Sequence, residues 1–145
     1  MSKNQLCLDE QLCFPIYAAS NLIVKAYRPF LAPLGLTYPQ YLVMLVLWEK
    51  ECVSVGDLGQ ILYLDSGTLT PLLKRIETSG LINRSRDPHD ERRVLISLTD
   101  KGRDLSAEAD KIPKALTKNI QFDNLDQLRD ELKVLVKLLG SSLNP

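Results

Sequence analysis

Apolar residues recur at helical spacing along most of the chain and shift to short strand-like runs in one stretch past its middle. Leu12, Ile16, Ile23 and Tyr27 fall on one helical stripe, which predicts an amphipathic helix over about 9–31. Pro15 constrains its start, because proline is accepted in a first turn but breaks a helix interior. Either the regular helix begins close to Cys13, or it begins near Asp9 and kinks; both place Cys13 near a helix N-terminus. Pro29 and Pro33 mark the end of this helix, and Gly35 marks a turn. The run from Tyr41 to Trp48 is apolar nearly all round. It predicts a buried helix over 39–50, opened by Thr37-Tyr38-Pro39 with Thr37 or Tyr38 flanking the cap.

A compact pair of helices follows. Ser54-Val-Gly-Asp57 has the form of an N-terminal cap, and a short helix runs from it to about Leu62. Asp65 or Ser66 caps the next helix, whose stripe is Leu69, Leu72, Leu73 and Ile76, and Gly80 stops it. Two short helices about three residues apart, the second with a polar outer face, form a helix-turn-helix pattern. Residues 81–84 and 94–98 then read as strands around the polar loop 85–93, which makes a β-hairpin wing. Thr99 caps a further helix, which Pro113 ends or kinks. A last helix over 123–139 carries leucines at 125, 128, 132, 135 and 139, a coiled-coil-like seam. The long end helices either share a dimer interface or cover their own core. The fold class is therefore mainly α with a small β-hairpin wing, a winged helix-turn-helix. Residues 1–145 read as a single domain, with 52–98 as the candidate DNA-binding region and 9–35 and 100–145 as the candidate dimerisation helices.

Composition narrows the function. The chain has 145 residues, of which 45% are hydrophobic and 25% charged, ordinary for one soluble domain. No apolar run reaches the roughly 18 residues that span a bilayer. The N-terminus has no apolar core leading to a cleavage site, so a cytoplasmic protein without a membrane partner is expected. A formal net charge of zero argues mildly against nucleic acid. Between positions 74 and 93, however, six basic residues stand against four acidic ones. A major-groove helix needs small polar and basic side chains, and Ser66, Thr68, Thr70, Lys74 and Arg75 supply them. Arg84, Arg86 and Arg93 add positive charge along the hairpin. Arg92, at its tip, suits a narrow minor groove, with Asp90 orienting the guanidinium. The bland alternative is an exposed Asp–Arg pair worth at most about 1 kcal/mol.

The three cysteines, Cys7, Cys13 and Cys52, form no Cys-x-x-Cys pair, and His89 is the one histidine. A structural zinc site needs four such ligands at set spacings, so no metal is expected. Neither a Cys-His nor a Ser-His-Asp arrangement is visible, and an enzyme, such as a thiol peroxidase, is not expected. Cys52 reads as structural. Cys7 reads as part of a flexible tail, or as a thiol able to resolve an oxidised Cys13.

Leu64-Asp-Ser-Gly-Thr-Leu-Thr-Pro-Leu-Leu-Lys-Arg75, Asp90-Glu-Arg-Arg93 and Leu98-Thr-Asp-Lys-Gly102 together resemble the MarR family of winged-helix regulators, over essentially the whole chain. Gln11-Leu-Cys-Phe14, Leu36-Thr-Tyr-Pro-Gln-Tyr41 and the Asp65–Pro71 string resemble its organic-hydroperoxide-sensing, OhrR-like branch. The resemblance implies an obligate homodimer on a pseudo-palindromic operator in double-stranded DNA, repressing a peroxide-detoxification gene. It also implies that an organic hydroperoxide oxidises Cys13, whose sulfur is hydrogen-bonded by Tyr27 and Tyr38, with Tyr17 close by across the dimer. The chemistry agrees, since only the thiolate attacks peroxide usefully, helix starts and hydrogen-bond donors favour it, and the first product is a sulfenic acid. Phe14, Ile16 and Tyr41 would give an apolar pocket suited to an organic peroxide. Some members of the branch carry a second cysteine near the start of the last helix. Ile120-Gln-Phe-Asp123 has none, so the chain resembles the one-cysteine type, which reacts with a low-molecular-weight thiol and needs no cofactor. The alternative within the fold is release by a small phenolic ligand, with Cys13 incidental.

Overall fold

Four helices open on side-chain oxygens that take up backbone N–H groups left free in the first turn. In α2 (Tyr38–Lys50), Thr37 accepts from the Gln40 backbone while the Gln40 side chain accepts from the Thr37 N–H, a complete capping box. Ser54 Oγ accepts from Asp57 N at 3.1 Å to start α3 (Val55–Leu62). Asp65 Oδ1 accepts from Thr68 N at 2.8 Å to start α4 (Ser66–Thr78), and Thr99 Oγ1 accepts from Gly102 N at 3.0 Å to start α5 (Asp100–Ala109). The computed structural model describes residues 5–143. The extreme ends of the expected 1–145 domain, and the start of the N-terminal stretch read for a leader, lie outside the described residues.

The first helix, α1 (Cys13–Leu31), begins at Cys13 and not at Asp9; Leu8–Glu10 forms a separate 3₁₀ turn. Pro15 thus sits in the first turn, where it forfeits no intrahelical bond. Pro29 lies inside the last turn of α1, whose path continues through a 3₁₀ turn, Ala32–Leu34, to Gly35 at φ 69°. Pro113 opens a new helix, α6 (Ile112–Asn119), and α7 (Leu125–Leu143) reaches four residues beyond its expected end. No single helix among the described residues is long and apolar enough to cross a membrane.

The sheet departs from expectation in two ways. A third strand, β1 (Cys52–Ser54), pairs Val53 with Ile96; three residues are too few to show alternation in a sequence. The order is β1-β3-β2, antiparallel throughout. Second, β2 (Ile82–Asp87) and β3 (Asp90–Leu98) extend through most of the segment read as a loop. That segment is polar on both faces because the hairpin projects from the body, so the ladder rather than burial orders it. The turn narrows to Pro88-His89, with Asp87 Oδ1 accepting from His89 N at 2.9 Å.

The core joins α2, α3, α4 and the sheet through Met44, Leu47, Leu58, Leu69, Leu73, Ile76, Ile82 and Ile96, and receives α1 at Leu31. Trp48 Nε1 donates to the Gly102 carbonyl at 2.8 Å. A side chain at Gly102 would overlap the Leu81 carbonyl, so α5 lies on the exit from α4 only because residue 102 has no Cβ. By contrast, α7 buries no residue, and Leu125, Leu128, Leu132 and Leu139 are all exposed.

Gly102→Ala is expected to destabilise the fold by about 1–3 kcal/mol, the usual cost of overpacking. Gly56→Ala, where a Cβ meets nothing within 4 Å, is expected to leave stability unchanged or raise it. Urea unfolding of the two variants at one protein concentration checks the contrast.

Candidate nucleic-acid interface and thiol site

Burial of Leu69, Leu72, Leu73 and Ile76 turns the opposite face of α4 to solvent, and Ser66, Thr68, Thr70, Lys74 and Arg75 are all exposed there. The Thr68 backbone and then the Thr68 side chain donate to the Asp65 carboxyl and hold it below its ordinary range. Ser66, Thr70, Arg84, Arg92 and Arg93 line one cleft between α3, α4 and the hairpin, together with Ser54, Asp57 and Gln60. Lys74 and Arg75 line a separate depression with Pro71, Thr78 and Ser79.

The hairpin arginines differ in freedom. The Arg92 side chain is 93% exposed, and Asp90 Oδ1 accepts from both its backbone N–H (3.1 Å) and Nε (3.3 Å). Arg86 donates to the Glu91 carbonyl at 2.7 Å across the hairpin. Arg84 lies 3.7 Å from Glu77 at the end of α4. Arg93 is engaged twice, by Asp57 of α3 at 3.3 Å and by Asp87 at 3.7 Å, the latter side chain only 11% exposed. The sequence offered Asp57 only as part of a cap; its hold on Arg93 joins residues 36 positions apart, which no local pattern signals.

Cys13 is exposed, as are Cys7 and Cys52, and all three are free thiols. The start of α1 has no side-chain cap. Phe14, Ile16 and Tyr17 are exposed beside Cys13, and Tyr17 is one turn further along. The other expected pocket residues lie elsewhere. Tyr27, Tyr38 and Tyr41 cluster with ring centroids 4.8, 5.7 and 6.3 Å apart, and Tyr41 packs on against Trp48. Tyr27 stands fourteen residues after Cys13 in the same helix, about 21 Å along its axis. Within one chain the sulfur therefore meets neither Tyr27, Tyr38 nor Tyr41. Burial, reinforced by Tyr38 and Tyr41, pushes the Tyr27 phenol up to about 12. Burial also raises Tyr38, and burial with Tyr38 raises Tyr41. At neutral pH all three are protonated donors.

One contact joins the helix pair to α7. Tyr63, in the turn between α3 and α4, has a left-handed backbone (φ 56°). Its ring lies so close to Gly140 that a Cβ there would come within 2.9 Å of it. Tyr63 also lines a groove with Ile23 and Tyr27 of α1 and Leu125, Leu128, Leu132 and Val136 of α7.

The arrangement has close counterparts. A family model described as transcriptional regulator SarA/Rot matches residues 25–109. The chain is 53% identical to the HTH-type transcriptional regulator TtmR of Methylorubrum extorquens (strain PA1), over 86% of this chain and 69% of that protein. It is 48% identical to the organic hydroperoxide resistance transcriptional regulator of Bacillus subtilis (strain 168), over 91% of each. Reduced AbfR bound to DNA superposes with a TM-score of 0.77 at 37% identity, over 94% of this chain and 98% of that one. The chain belongs to the MarR-type, SarA/Rot family of winged-helix transcriptional regulators.

This MarR-type regulator is a transcription factor and not an enzyme. Because the folded chain holds the Tyr27 proton, stability is retained up to the ordinary phenol value of 10.0 and declines as pH rises from there toward about 12. In a spectrophotometric titration, one phenol is expected to ionise near 12 and to be missing in Tyr27→Phe. An unchanged titration curve would remove the shifted group from Tyr27.

Proposed function

We propose that this regulator binds double-stranded DNA as a homodimer and leaves its operator when an organic hydroperoxide oxidises Cys13. The observation that carries the reading is the split of the thiol site. Cys13 and the tyrosine donors lie a helix-length apart in one chain, while the apolar faces of α1 and α7 stand uncovered. Antiparallel pairing of two α1 helices brings Cys13 of one copy toward Tyr27 and Tyr38 of the other, with Tyr17 beside them and Phe14 and Ile16 walling the entry. Residues 9–35 and 100–145 are then the pairing elements, and 52–98 is the reading unit. Similarity to a regulator named for organic hydroperoxide resistance, and to a regulator solved on DNA in a reduced form, supports the same reading. The cytoplasm, where DNA and low-molecular-weight thiols meet, is the compartment that fits.

On DNA, α4 enters the major groove. Ser66, Thr68 and Thr70 approach base edges and phosphates from its N-terminal half, and Lys74 and Arg75 take phosphates or guanine edges. Arg92 enters the minor groove, oriented by Asp90, and Arg84 and Arg86 flank the backbone. Arg93, held by Asp57 and Asp87, serves as a strut between hairpin and α3 more than as a DNA contact. In the switch, the Cys13 thiolate attacks the peroxide oxygen, giving a sulfenic acid and an alcohol. The sulfur loses its phenol hydrogen bonds, the paired helices shift, and the two α4 helices no longer match half-sites about one turn apart.

Fluorescence anisotropy on the protein's own promoter DNA, before and after cumene hydroperoxide with a low-molecular-weight thiol, tests the reading. Wild type is expected to release DNA and Cys13→Ser to hold it. If both hold, the DNA-binding half stands and a small phenolic ligand becomes the effector to seek. Arg92→Ala is expected to weaken reduced-state binding by about 1.5–3 kcal/mol, the usual worth of hydrogen bonds from a charged group, and Arg93→Ala to weaken it without lowering the salt dependence by a full phosphate contact.

A further inference from the structure

The segment before α1 is folded, not a loose tail. Glu10 N donates to the Cys7 carbonyl at 3.2 Å and Gln11 N to the Leu8 carbonyl at 3.1 Å, closing the 3₁₀ turn Leu8–Glu10. The Gln11 side-chain amide then donates to the Gln5 carbonyl at 2.6 Å and to the Cys7 carbonyl at 3.1 Å. These bonds fold the arm back on itself, so that Cys7 is tied to a residue two places before Cys13. Both thiols are exposed and free, and residues 5–12 bury nothing in the core. Rearranging the arm therefore uncovers no part of the chain's own core.

Resting on the peroxide reading of Cys13 above, we propose that Cys7 of the same chain is its resolving thiol. The chain contains three cysteines. Cys52 is fixed in β1, in the body of the domain. Helix α1 carries Cys13 about 27 Å along its axis from Leu31, the one α1 residue buried in that body. Cys7 is six residues away on an unburied arm. A disulfide closes with Cα atoms about 4.4–6.8 Å apart, and the arm between the two cysteines is held by the exposed Gln11 side-chain bonds that must open for Cys7 to come up. The step balances. Hydroperoxide oxidises the Cys13 thiolate to sulfenic acid and is itself reduced to the alcohol. The Cys7 thiolate attacks the Cys13 sulfur, an S–S bond forms, the S–O bond breaks, and the oxygen leaves as hydroxide, which takes a proton from solvent to become water. A short tether holds the two groups at millimolar effective concentration, so closure outruns mixed-disulfide formation with ~0.1 mM free thiol by about tenfold. The regulator then recovers with any dithiol reductant and is protected from sulfinic acid.

Both cysteines fall in one tryptic peptide, residues 4–25, which makes the test direct. Full-length protein is treated with cumene hydroperoxide in the presence of ~0.1 mM cysteine, alkylated, digested and analysed by mass spectrometry alongside a non-reducing gel. The expected result is a peptide two hydrogens lighter with neither cysteine alkylated, from protein that migrates as a monomer. In Cys7→Ser the lighter peptide is expected to vanish and Cys13 to appear as the cysteine mixed disulfide, which dithiothreitol reverses, and as sulfinic acid, which it does not. Oxidised Cys13 with Cys7 alkylated, or a covalent dimer on the gel, overturns the pairing and leaves peroxide sensing intact. Cys13 alkylated throughout overturns both.

Discussion

The packing of α4 on the core governs what this regulator can present to a partner. Four apolar side chains, Leu69, Leu72, Leu73 and Ile76, are buried on one side of a thirteen-residue helix. That choice alone decides which serines, threonines and cations look outward. Everything downstream is referenced to it. Gly80 takes a left-handed turn at φ 78°, Thr99 Oγ1 donates to the Gly80 carbonyl at 2.6 Å, and Lys101 donates to the Ser79 carbonyl at 2.9 Å. The last turn of α4, the root of the hairpin and the start of α5 are therefore one hydrogen-bonded joint.

Against that joint the hairpin is held at its other end by charge. Arg93 reaches Asp57 and the nearly buried Asp87. These pairs are too exposed at Arg93 and Asp57 to add much stability. Their contribution is geometric: they tie the wing to the helix pair, beside the exposed Arg92 side chain that Asp90 holds.

How much of this could be read in advance depended on range. Helix starts were legible because Thr37, Ser54, Asp65 and Thr99 each act on a backbone N–H three residues on, within the window of a sequence motif. The stripe of α4 was legible for the same reason. Strand β1 was not, because it takes its order from Ile96 across the sheet. The full length of the wing was not, because solvent on both faces erases alternation. The thiol site was legible as a set of residue types but not as a place. Cys13 and Tyr27 share one amphipathic helix, and only the rise per residue makes clear that a single copy keeps them apart. Asp57 was visible as a cap and silent as the seat of Arg93.

The contact between Tyr63 and Gly140 changes how the domain must be divided. The turn joining α3 to α4 lies beside a helix near the other end of the chain, at a tyrosine held in a backbone region that side-chain-bearing residues seldom occupy. The reading unit is consequently not a detachable module. Cut free as residues 52–98, it would lose Leu31, Met44 and Leu47 from its hydrophobic centre as well as the helix that meets Tyr63. Grafting the helix pair alone onto another scaffold would leave behind both the α2 side of its core and the helix beside which Tyr63 rests.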